Sequence, residues 1–268
     1  MSDANYYDRF ADQEEQKPQK QKKEKRTLSS STGLSIAKVF GYMFIGLMIT
    51  AAISLGLGAF FTYVFMGGIS GASVDERMQA ASVVALLILL VVSFIAIIVL
   101  SFVVPIVVVR GKHSVLVPAI LYAVFMGIAL SALTIFIDWS ILGMTFGITS
   151  LVFGLMALIA LLSKGRLNGL AIAAMGLFMG AGLLCLALWI MMLLGVFSEP
   201  LYWAISLITF AAVMLITIWD MARIKNIAEQ GEMTSNVSLY CAYILYNDFI
   251  VIFLKILRFV LIIMGNKK

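Results

Sequence analysis

Apolar residues in this chain do not alternate with polar ones at either a helical or a strand period. They run in seven long blocks separated by short polar breaks, over residues 36–66, 80–109, 115–137, 141–163, 168–195, 201–224 and 238–264. At about 1.5 Å per residue each block is long enough to cross the roughly 30 Å hydrocarbon core of a bilayer. The pattern predicts seven transmembrane helices, an all-α integral membrane protein of residues 36–266. Asp138, Trp139 and Ser140 alone separate the third and fourth blocks, which predicts a tight hairpin there. The block at 168–195 holds Gly176 and Gly180, a small-xxx-small spacing that permits close helix approach and is expected to serve packing within the bundle.

Composition agrees. Residues of the hydrophobic class make up 62% of the 268 and charged residues 12%, and mean hydropathy is +1.06. A soluble domain of this size would leave much of that apolar surface in water. Residues 1–35 differ: the run from Gln16 to Arg26 is rich in Gln, Lys and Glu, followed by Ser29, Ser30, Ser31 and Thr32. That composition predicts a disordered tail. With no apolar stretch or small-residue cleavage site in the tail, the first span is expected to act as an uncleaved anchor.

The net charge of +5 is a topology signal rather than a nucleic-acid footprint. The tail's basic cluster, Arg110 with Lys112, Lys164 with Arg166, and Arg223 with Lys225 fall on one side of the bundle. Asp75, Glu76, Asp138 and Glu199 fall on the other. The bias predicts a cytoplasmic N-terminus and an outside C-terminus, against which only Lys267 and Lys268 stand. Cys185 and Cys241 lie within apolar runs without metal spacing, and His113 is the sole histidine. No resident cofactor is expected.

Candidate chemistry concentrates in the last two spans. A charged side chain at mid-bilayer costs roughly 2.5–3.5 kcal/mol on insertion scales, and such residues mark ion or proton pathways. Asp220 and Asp248 sit in consecutive, antiparallel spans. Asp248 lies about 15 Å, and Asp220 about 10 Å, along the axis from the same face, so their carboxylates are expected to meet. Two such groups in low dielectric titrate as a unit. They are candidates for a proton sensor, or for ligands of a hard cation such as calcium. Asp220 reaches that depth only if the sixth helix continues past it. Lys255 and Arg258 follow on the seventh span, Lys255 too far along for direct pairing with Asp248. Arg258 is expected to snorkel to the far interface, and Lys255 either does the same or faces the bundle. A helix carrying Asp248, Lys255 and Arg258 is expected at the centre of the bundle. Arg110, ending the second span, is by default a topological charge and otherwise a cationic partner of the aspartates.

Three stretches resemble a known family. They are Ile218, Trp219, Asp220, Met221, Ala222, Arg223, Ile224 and Lys225; Ala242 through Ile250, continued by Phe253, Leu254, Lys255, Ile256, Leu257, Arg258 and Phe259; and Phe125 through Ser131. They are similar to the helix-six, helix-seven and helix-three motifs of the Bax inhibitor (transmembrane Bax-inhibitor-motif) family, over about residues 36–264. The resemblance implies seven helices around a central seventh and, for bacterial members, a pH-sensitive calcium leak channel in the cell membrane. By the same resemblance Asp220 and Asp248 form the sensor, Arg110 is their partner, and calcium and protons are the ions handled. A non-catalytic alternative is modulation of a membrane-bound protease through the tail. Departures are Met126 where many members have Glu, Trp219 where Tyr is common, and Lys255 in place of an uncharged residue.

No enzyme is expected. The aspartates lack the Tyr-Asp and Gly-x-Gly-Asp contexts of intramembrane aspartyl proteases. Gly68, Ile69, Ser70 and Gly71 fit a rhomboid-like Gly-x-Ser-Gly pattern, but Ser70 is expected on the opposite side from His113.

Overall fold

The computed structural model describes residues 4–65, 76–110, 114–163, 168–195 and 198–265, with side chains over 32–64, 81–110, 114–163, 169–195 and 198–264. Seven helices account for nearly all of them: α1 (Ala4–Phe65), α2 (Glu76–Arg110), α3 (Leu116–Phe136), α4 (Trp139–Leu162), α5 (Asn168–Leu193), α6 (Glu199–Glu229) and α7 (Ser235–Gly265). Among the described residues there is no strand. The protein is an all-α integral membrane protein. The Gly68–Gly71 motif, His113, Lys112, Lys164, Arg166, Lys267 and Lys268 lie outside the described residues.

Among the described residues six helices are long and apolar enough to cross a bilayer, the first over Thr32–Val64. Helix α7 matches α6 in length at 31 residues; Asp248, Lys255 and Arg258 distinguish it in composition. The first helix begins at Ala4.

Helix α7 touches α1, α2, α3, α4 and α6. Leu245 and Ile252 are wholly enclosed, and Tyr246, Phe249, Ile250 and Leu257 are buried on other sides of the same helix. Burial all round is the mark of a central helix, and the expected placement holds. Helix α1 crosses α3 at Gly127, where an added Cβ would fall 2.8 Å from the Thr50 carbonyl oxygen. The α5 glycines do not serve packing within the bundle. A Cβ on Gly176 or Gly180 would meet nothing within 4 Å. Helix α5 packs on α6, and its buried small residues are Ala174 and Ala181, which lie two turns apart on another face.

Lys225 has a structural role beyond topology. Its Nζ donates to the carbonyl oxygens of Leu161 (2.7 Å) and Ser163 (2.8 Å) at the end of α4, with Glu229 3.9 Å away. A cation there satisfies orphan carbonyls and meets the negative end of the α4 dipole. Lys225→Met, which keeps the stem, is expected to cost about 1.5–3 kcal/mol, the range for hydrogen bonds to charged groups. Thermal unfolding of the detergent-solubilised protein checks this.

Candidate functional site: a buried aspartate pair

Helix α6 continues past Asp220 to Glu229, so the condition on Asp220 is met. The intervening Met221, Ala222 and Ile224 are buried, which keeps this stretch packed in the bundle although Arg223 and Lys225 interrupt its apolar run. Asp220 is 9% exposed and Asp248 8%. The two carboxylates are near enough to act on each other through space, and Thr217, one turn before Asp220, faces Asp248. The Thr217 hydroxyl donates to the Val213 carbonyl at 2.9 Å. Asp248 Oδ2 is enclosed and has no hydrogen-bond partner, an arrangement that costs free energy unless a proton, a cation or water completes it.

The direction in which Asp248 points depends on the rotation of α7 about its axis. Just before it, the Tyr122 hydroxyl of α3 donates to Asn247 Oδ1 at 3.0 Å. The Thr50 hydroxyl of α1 donates to the Ala123 carbonyl at 3.0 Å, so the 2.6 Å contact between Thr50 Oγ1 and Tyr246 Oη has the tyrosine as donor. The Tyr122 ring meets Tyr243 and Tyr246 edge-on, with centroids 4.9 and 6.0 Å apart. These bonds tie α7 to α1 and α3 on both sides of one helical turn. Tyr122→Phe keeps the ring and removes the donor, and is expected to cost about 0.5–1.5 kcal/mol in thermal unfolding.

The basic residues are distributed otherwise than expected from the resemblance. Arg110 ends α2 exposed and forms no ion pair with either aspartate; among the described residues the one ion pair is Lys225–Glu229. The cation that acts on Asp220 is Arg223, one turn along α6, its guanidinium 5.5 Å from the Trp219 ring centroid. Its three-residue spacing from Asp220 was the available signal, but the same charge also fits the topology pattern. Lys255 turns to α6, where its Nζ donates to Thr209 Oγ1 at 2.8 Å. Arg258 reaches toward the start of α6 but ends over the Tyr202 ring, 4.3 Å from its centroid, instead of projecting freely from the bundle.

As a calcium site the pair is sparse. Among the described residues no group of three or more acidic, histidine or cysteine side chains gathers, whereas bound calcium takes six to eight oxygens. Two carboxylates and a hydroxyl suit a partly hydrated ion in passage better than a resident one.

The family model described as "inhibitor of apoptosis-promoting Bax1" matches residues 34–267. An uncharacterized protein of Rickettsia prowazekii is 33% identical over 150 residues, 55% of this chain and 60% of the relative. The inner membrane protein YbhL of Escherichia coli K12 is 32% identical over 154 residues, 55% of this chain and 62% of YbhL. The matched stretch thus spans about three fifths of these relatives. No solved structure matches.

Proposed function

The chain belongs to the Bax inhibitor family of membrane proteins, and from that premise we propose that it is a pH-sensitive cation leak channel, conducting calcium, in which Asp220 and Asp248 sense protons. The observation carrying this reading is the burial of both carboxylates on adjacent helices, close enough to interact, with an oxygen of Asp248 left without a partner. Such a pair exchanges protons as a unit, and each proton bound changes the charge a passing cation meets. Arg223, acting on Asp220, takes the cationic role that the resemblance gave Arg110. The protein sits in a bacterial cell membrane with its N-terminus inside, as the loop charges argue.

The test is calcium flux into liposomes carrying the purified protein, followed across pH. A flux that changes with pH supports the reading. Wild-type liposomes without flux would overturn it, and a protease co-purifying through residues 1–35 would then favour the modulator role.

A further inference from the structure

A second polar cluster lies in the other half of α7. Lys255 and Arg258 are three residues apart and therefore neighbours on one helix surface. Tyr202 and Thr209 of α6 meet them, and Ser206, four residues after one and three before the other, lies on the same α6 face. Lys255 bonds Thr209 at 2.8 Å, while the Thr209 hydroxyl proton is directed back to the carbonyls of Ile205 and Ser206 at 2.8 and 3.0 Å. Thr209 therefore accepts from Lys255, which keeps two further N–H donors. Arg258 stacks on Tyr202, and one terminal nitrogen is enclosed with no hydrogen-bond partner. Ser206, 3% exposed, also has an unpartnered Oγ.

The cluster is rich in donors, and among the described residues neither of its two cations is ion-paired. Glu199, in the first turn of α6, is exposed and bridges to neither. Cations at this depth are costly unless something negative meets them. Arg258 lies about 10 Å from the end of α7 and Tyr202 about 5 Å from the start of α6, within reach of the headgroup zone. Both cations are only partly buried, so a ligand can approach from that side.

We propose that Lys255 and Arg258, together with Ser206, form a binding site for a phosphate-type anion. Arg258 supplies a guanidinium donor to a phosphate oxygen, and Lys255 a point charge beside it. The anion has two sources, a phospholipid headgroup or free phosphate.

The experiment follows thermal unfolding of the full chain in neutral detergent while phosphatidylglycerol, phosphatidylcholine or inorganic phosphate is added. A rise in melting temperature with phosphatidylglycerol alone identifies a headgroup site, and a rise with inorganic phosphate identifies a free-anion site. In either case Lys255→Gln/Arg258→Gln is expected to raise the half-saturating concentration at least tenfold. Lys255→Gln alone, which leaves Arg258 on Tyr202, carries the comparison if the double variant does not fold, with a smaller rise in the same direction. The proposal is overturned if neither phosphatidylglycerol nor phosphate stabilises the wild-type protein, or if the variant responds at the same concentrations.

Discussion

Asp248→Asn is expected to flatten the pH dependence of calcium flux while making the protein harder to unfold. The two effects share one cause. Asp248 Oδ2 is enclosed without a partner, with the Asp220 carboxylate nearby. An amide cannot take up the shared proton, so the charge of the pair no longer follows pH through this residue. The amide also removes a charge from a desolvated position and offers a donor there, which relieves the repulsion from Asp220. Satisfying a buried polar group is worth about 1–3 kcal/mol, read as a higher melting temperature. Asp220→Asn is expected to flatten the same profile with a smaller gain in stability, because Arg223 already acts on Asp220. Flux measured on both variants decides the matter. If each kept the wild-type pH profile, the pair would not be the sensor, whatever happened to stability.

Gly127→Val is expected to destabilise the protein at the α1–α3 crossing. Its Cβ would fall 2.8 Å from the Thr50 carbonyl oxygen and 2.9 Å from Ile53 Cβ. One of those contacts is backbone, so the strain cannot be relieved by a rotamer change, and α1 must move off α3. Overpacking of this kind costs about 1–3 kcal/mol. Thr50 also bonds Tyr246, so the displacement is transmitted to α7. Gly176→Val in α5 is the matched control, since nothing lies within 4 Å of the position; its change is expected within about 0.5 kcal/mol. Equal melting temperatures for the two variants would show that the α1–α3 crossing accommodates a side chain.

Seven helices and a central α7 were legible because long apolar blocks have few alternatives in a bilayer, and because three charges make a poor lipid-facing helix. Asp248 followed from its apolar flanks. Asp220 was harder: Arg223 and Lys225 ended the apolar run by composition, yet the helix continues to Glu229 with Met221, Ala222 and Ile224 buried. Lys225 could not be read as a cap of α4, because its partners lie more than sixty residues away in sequence. Gly176 and Gly180 show the opposite error, a local spacing that suits packing on a face that meets no other helix. Lys255 was recognised as unusual from its position alone, but its turn toward Thr209 depends on the register between α6 and α7, which no local pattern encodes.

The contacts of α7 also bear on how the protein is made. It is the last of the seven helices to leave the ribosome, yet Tyr122 of α3 directs its hydroxyl to Asn247, and Thr50 of α1 receives the Tyr246 hydroxyl. Until α7 inserts, Thr50 keeps its bond to the Ala123 carbonyl, but the Tyr246 hydroxyl and the Asn247 acceptor that complete this crossing are missing. A chain that ends before Ser235 therefore lacks the two hydrogen bonds that fix the rotation of α7 against α1 and α3.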